Sequence, residues 1–284
     1  FKLEVVPCVP PHYAIMDVFI DVFEEHFVPL ASELCSVEKA SALEPAEVLQ
    51  LVDWFEFYQI QMESYGVELS ATKHSSVQTF RELSEDLMNE YLGRIKHQVM
   101  QWFTNIKNLP LETQPGEDGT IITTNPEDMF RVLSLQVAVA EEKLPKEKLK
   151  DVIMTCLQVL REIQRDTYDA LRTSYKDMDP MLMCATINDN LRMEEKCAHY
   201  FGDRIAKLPA SQSADREMLT AVLDDVETEY VEIANKAVTM LAKTLLQCDL
   251  EGVLAALFTR EWEAGEVICD AIPATLADVF PSLE

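Results

Sequence analysis

The chain has 284 residues, 48 % hydrophobic and 26 % charged, a globular composition that excludes wholesale disorder. Fifty acidic against 24 basic side chains leave a formal charge of −26, which excludes nucleic-acid or anionic-lipid binding by bulk electrostatics. Only seven glycines occur, and no apolar run approaches the roughly 18 residues of a membrane span, so phosphate-cradling loops are disfavoured and the segment is expected to be soluble.

Apolar residues recur at spacings of three and four through almost every segment, so the elements are predicted to be helices. Pro10 and Pro11 precede a first helix from Tyr13 to Leu34 with an irregularity at Pro29, and a second runs from Pro45 to Tyr65 with Gly66 as its stop. The third, from Ser76 to Asn108, buries a stripe of Phe80, Leu83, Leu87, Tyr91, Ile95, Val99, Trp102 and Ile106. Residues 109–124 hold Pro110, Pro115, Gly116 and Gly119, the one long stretch of turn composition, and are read as a linker between a first bundle, 1–108, and a second, 125–284.

Asn125, Pro126 and Asp128 supply an N-cap, a first-turn proline and an acid suited to the helix dipole for a fourth helix, which reaches about Glu142. Pro145 opens a fifth that continues to about Ser174, with Leu149, Val152, Cys156, Leu160, Ile163, Thr167 and Leu171 inward. Asp179 and Pro180 start a sixth, ending near Lys207. A seventh from Ala214 to Gln247 is expected to bury Leu219, Val222, Val226, Tyr230, Ile233, Ala237, Leu241 and Leu245. Two shorter helices, near Leu250 to Trp262 and Gly265 to Val279, close the chain, and Phe258 and Trp262, four apart, are expected to face the preceding long helix. The fold class is all-α, an elongated rod of stacked antiparallel helical bundles.

Candidate chemistry is sparse. The cysteines (Cys8, Cys35, Cys156, Cys184, Cys197, Cys248, Cys269) are odd in number and scattered, and read as buried thiols in a reducing compartment rather than a disulfide framework. Glu117-Asp118-Gly119-Thr120-Ile121 echoes a calcium loop, but aligning Gly119 to its sixth position puts Gln114, Gly116 and Asn125 where the ligands belong. A magnesium-dependent helical enzyme of the terpene-synthase kind would need paired acidic motifs. Asp224-Asp225-Val226-Glu227-Thr228 lacks a fifth acid, and Asn188-Asp189 is followed by Arg192 and Lys196 in place of Ser/Thr and Glu. Cys197 and His199, two apart on a helix, point to different faces. No catalytic, cofactor-binding or metal-binding residue is assigned. Lys146, Lys148 and Lys150, with Lys143, form the one cationic cluster and are the candidate docking patch for an acidic partner. Elsewhere the acidic faces are expected to favour basic partners, through broad helical surfaces and in a salt-dependent way.

Several blocks carry a resemblance. Cys8-Val9-Pro10-Pro11-His12-Tyr13, the Trp54 helix ending Tyr65-Gly66-Val67, and Leu87-Met88-Asn89-Glu90-Tyr91 leading to Trp102 resemble, in order, segments of the exocyst complex component 3 family, the Sec-six subunits. Asp128-Met129-Phe130-Arg131-Val132-Leu133, the block Cys184 to Arg192, and Leu257-Phe258-Thr259-Arg260-Glu261-Trp262 with Ala274 to Phe280 continue it. Asp189 stands where the family pattern leads us to expect a second asparagine.

The resemblance implies part of the carboxy-terminal half of a subunit that tethers secretory vesicles to the plasma membrane before SNARE-mediated fusion. With Phe1 rather than Met in front, the chain is expected to be an excised piece. It further implies a non-enzymatic rod without cofactors, cytoplasmic and peripheral at sites of exocytosis. Its partners would be other exocyst subunits and SNARE or Sec1/Munc18-type proteins, with no nucleic acid and no direct membrane insertion. A diverged tethering or priming rod of the same superfamily is the alternative, and the magnesium enzyme a distant one.

Overall fold

The computed structural model describes residues 4–64, 75–108, 112–116, 119–260 and 266–283. Helices fill the periodic segments: α1 (Ile15–Leu34), α2 (Val37–Ala42), α3 (Pro45–Ser64), α4 (Ser75–Asn108), α5 (Asn125–Lys143), α6 (Leu149–Ser174), α7 (Pro180–Ala206), α8 (Ser213–Thr244), α9 (Glu251–Ala256) and α10 (Glu266–Val279). Among the described residues the one extended pairing is antiparallel, β1 (Gln114–Pro115) with β2 (Ile121–Ile122), Gln114 lying opposite Ile122. The fold is all-α, as the apolar spacing predicts. The added element, α2, has only six residues, too few for a periodicity to register.

Packing groups the chain into two compact units, Phe1–Arg94 with Val139–Pro145, and Ile95–Ala138 with Lys146–Glu284. The turn-rich stretch 109–124, expected to separate two bundles, thus lies within the span of the second unit. Turn composition marks where helices stop, whereas the grouping changes inside α4, which runs unbroken through Arg94 and Ile95.

In the first unit the core is aromatic. Phe27 of α1 lies 4.8 Å from Trp54 of α3, and Phe80 of α4 lies 4.9 Å from Tyr58 and 5.4 Å from Phe55, ring centre to ring centre. Glu24, a carboxylate buried in α1, accepts a hydrogen bond of 2.9 Å from the Tyr58 hydroxyl. Burial, then that carboxylate, push the Tyr58 phenol well above its ordinary pKa. Arg94 donates to the carbonyls of Ala40 and Leu43, the latter at 2.7 Å, and so ties α4 to the turn between α2 and α3.

In the second unit the predicted stripes of α6 and α8 are buried except at Leu149, Thr167 and Val222, which are half-buried, and α7 adds Met183, Cys184, Ile187, Cys197 and Phe201. Asp179 caps α7, its Oδ1 accepting from the backbone N–H of Met181 at 2.8 Å and of Leu182 at 3.4 Å. Buried Gln164 of α6 donates through Nε2 to the Val226 carbonyl of α8 at 2.7 Å.

Two aromatic expectations are corrected. Trp102 is 49 % exposed, although the spacing places it on the same side of α4 as buried Tyr91, Ile95 and Ile106. Phe258 is 84 % exposed: the helix predicted to reach Trp262 ends at Ala256, Leu257 is extended, and Phe258 takes φ +64°. Trp262 and the Gly66 stop lie outside the described residues.

The thiols divide by depth. Cys8 is exposed and Cys35 half-buried, against the expectation of uniformly buried thiols, while Cys156, Cys184 and Cys197 are buried. Burial pushes Cys156 up to about 12 and Cys184 up to about 11, and raises Cys197 as well. Below about pH 9 the folded and unfolded chains both hold these protons. Above it the unfolded chain releases them first, so stability is lost as pH rises toward 11–12. Urea midpoints should therefore fall between pH 8 and pH 10.5; a flat profile would contradict the burial of these thiols.

Candidate functional site

The cationic cluster forms where α5 hands over to α6. Lys143 ends α5 and sits 2.7 Å from Glu142. Lys146 and Lys148 occupy the turn before α6, the first exposed and the second half-buried. Lys150 lies in the first turn of α6, where its Nζ meets Asp215 Oδ2 of α8 at 2.9 Å. That hydrogen bond raises the Lys150 ammonium, while burial raises the Asp151 carboxyl beside it. Lys150 therefore joins α6 to α8, and Lys146 is the member of the trio that presents its charge to solvent.

The two roles are separable. Lys150→Glu places a carboxylate against Asp215 and should cost about 1 kcal/mol of stability or more, whereas Lys146→Glu should change it by less than about 0.5 kcal/mol. Urea melts of the two variants check this. Equal effects would mean that the Lys150 pair contributes nothing.

The segment Asn188-Asp189-Asn190 works as a structural clamp on α7. Asn188, buried, donates through Nδ2 to the Ile121 carbonyl at 2.8 Å and to the Ser282 carbonyl at 2.7 Å, holding the hairpin and the end of the chain on one helix. Asp189 Oδ1 accepts from the Thr123 backbone N–H at 3.0 Å and its Oδ2 from the Thr123 hydroxyl at 2.5 Å. Thr123 Oγ1 in turn accepts from the Asn125 N–H at 3.1 Å and so caps α5. Asp189 thus offers one acceptor oxygen to each Thr123 donor, where an asparagine would have a single acceptor oxygen for both. Burial raises the Asp189 pKa and these two hydrogen bonds oppose it. Arg192 and Lys196, one and two turns further on, meet Glu127 of α5 at 2.8 and 3.0 Å.

The residues weighed for magnesium are thus committed elsewhere or solvated: Asp224 and Asp225 are exposed, Asp225 lying 3.6 Å from Arg161. Cys197 is buried while His199 is exposed, on different faces of α7. Gly119, at φ +90°, turns the hairpin, with the Gly116 N–H donating to the Thr120 carbonyl at 2.6 Å; Glu117 and Asp118 lie outside the described residues. Among the described residues no three of His, Cys, Asp or Glu gather as a metal site, and no helix is long and apolar enough to cross a membrane.

Two features were not singled out in the sequence. A cavity of about 330 Å³ in the second unit, lined by Phe103, Ile106, Met129, Ile163, Met193 and Tyr230 among others, is mainly apolar. It arises from residues distant in the chain, which no local pattern signals. The other is the outer face of α1, which carries Val18, Val22 and Leu30 in solvent. Its signal was present: α1 is apolar on nearly all sides, the pattern of a helix with more than one partner.

A family model described as "Exocyst complex component Sec6" matches residues 1–284. "Exocyst complex component 3" of Caenorhabditis elegans is 22 % identical over 318 residues, covering 97 % of this chain and 38 % of that protein. "Exocyst complex component SEC6" of Saccharomyces cerevisiae is 21 % identical over 320 residues, covering 99 % of this chain and 38 % of that protein. The chain therefore spans well under half the length of these relatives. Among solved structures, the C-terminal domain of the exocyst subunit Sec6p matches with a TM-score of 0.58 at 19 % identity, over 72 % of this chain and 59 % of that one.

Proposed function

The chain belongs to the Sec6 family of exocyst complex components, and from that premise we propose that the protein containing it is an exocyst subunit that tethers secretory vesicles to the plasma membrane before SNARE-mediated fusion. The observation that carries this reading is the family match along the whole chain, joined to an all-helical architecture. The protein works by binding rather than catalysis, in the cytoplasm and peripherally at sites of exocytosis. Its partners are the other exocyst subunits, with SNARE or Sec1/Munc18-type proteins engaged at the membrane.

Helical faces suit such work, because a long helix presents a wide, preformed surface at little ordering cost. Lys146 and Lys148 are the proposed contact for an acidic partner, with Lys150 anchoring the helix that follows them. Depletion of the full-length protein from its own cells should leave secretory vesicles accumulated beneath the plasma membrane and slow secretion, and re-expression should restore both. Secretion at the normal rate after depletion would contradict the reading.

A further inference from the structure

The inward side of α1 is occupied by Ile20, Glu24 and Ala31, with Phe27 packed on Trp54. On the outer side Val18, Val22 and Leu30 are 50 %, 54 % and 51 % exposed, on a row of four-residue steps that passes through exposed His26 and winds about 120° round the helix. Phe19 and Phe23 flank this row and are also exposed. From Val18 to Leu30 the row spans about 18 Å at 1.5 Å per residue, the length of a partner helix of about 12 residues. Contiguous apolar surface on this scale marks an interaction site rather than ordinary surface.

Charge narrows what covers it. Residues 4–64 carry twelve acidic side chains and one Lys or Arg, Lys39, which pairs with Glu33. Asp17, Asp21 and Glu25, all exposed, each precede or follow the apolar row by one position and run along its edge, and Glu33 stands near its far end. A second copy of this chain would bring the same acidic edge against itself, and an anionic bilayer would be repelled. A helix with leucine-like residues on one side and lysines or arginines flanking them meets both the apolar row and its acidic edge.

We propose that the outer face of α1 is a docking site for a basic amphipathic helix presented by a partner protein. This deepens the reading of the protein as a scaffold that acts through protein contacts by naming the chemistry of one contact. The test measures peptide binding directly, so it can fail while the assignment to the exocyst stands.

The experiment uses the full-length protein and three fluorescein-labelled peptides of about 18 residues. The first has leucines on one helical face and lysines on the other. The second has the same composition permuted so that no face exists, and the third replaces lysine by glutamate. In fluorescence anisotropy at about 0.15 M salt, the first should bind at least about tenfold more tightly than either of the others. Val22→Lys with Leu30→Lys, exposed positions whose folding is checked by circular dichroism, should weaken it by about tenfold or more, while Val231→Lys with Val238→Lys on α8 should not. Equal binding of the permuted peptide would reduce the effect to bulk charge, and equal binding by the Val22/Leu30 variant would place it elsewhere; either overturns the proposal.

Maleimide labelling of Val22→Cys, read by mass spectrometry at that position, addresses other occupants. Labelling as fast as at Val231→Cys supports an open docking face. Protection in the monomer would mean that the protein's own chain covers α1, and protection that grows with concentration would mean a second copy. Either protection overturns the proposal.

Discussion

Phe80→Ala should lower the stability of the first unit by about 3–5 kcal/mol, the largest effect expected of any single side chain there. Phe80 is buried at the centre of four other rings, with Tyr58 at 4.9 Å, Phe55 at 5.4 Å, Phe27 at 5.8 Å and Trp54 at 6.2 Å. Two of these contacts are edge-on, the arrangement that aligns the positive rim of one ring with the negative face of another. Removing the ring forfeits its burial and leaves a cavity that helices α1, α3 and α4 cannot close without losing their other contacts. The variant should melt in guanidinium at a clearly lower midpoint by circular dichroism. A change below about 1 kcal/mol would mean that the cluster does not organise this unit.

Asn188→Ala should be nearly as costly. It deletes one amide that satisfies two carbonyls, Ile121 and Ser282, and each buried group left without its partner costs about 1–3 kcal/mol. The loss should therefore reach about 2–5 kcal/mol, and backbone amides of the hairpin should exchange hydrogen faster than those at the centre of α8. Asn188→Asp separates geometry from charge. Its protonated form retains one donor, whereas its ionised form places a buried negative charge against two carbonyl oxygens. Burial raises the folded pKa of that carboxyl above its unfolded value, so the variant's stability should decline as pH rises from about 4 to 7. Alanine should show no such slope relative to the parent protein. If the two variants behave alike across that range, the amide is not the clamp.

Neither effect could have been read from the sequence to the same depth. Phe80 is legible as an inward residue because the stripe it begins repeats to Ile106 within the 34 residues of α4, and a helix that long leaves no other period to fit. Its companions Phe27, Trp54, Phe55 and Tyr58 come from other helices, and periodicity does not say which stripes meet. Asn188 stands out in the sequence only as half of a metal motif. Its partners are 67 and 94 positions away, and a side chain that satisfies distant carbonyls carries no local signature. Lys150 was read with its neighbours as a patch because charges adjacent in sequence look alike until Asp215, 65 residues on, is brought beside one of them.

Phe258 and the outer face of α1 show the two directions in which apolar spacing misleads. The first reads as inward because four-residue spacing to Trp262 presumes a helix, yet α9 has only six residues and stops before either aromatic. The second is hidden in the sequence because apolar residues over most of a helix's circumference obscure which of them face the core. Acidic residues arranged along one edge are what give that outer face a definite chemistry.

The most direct test of the account is stoichiometric. The full-length protein, tagged at its own locus and expressed at its native level, should be purified from cell extract and its companions quantified by mass spectrometry. Membership of the exocyst predicts that the other exocyst subunits are recovered in near-equal amounts with it. Recovery without any of them above an untagged control would contradict the central claim.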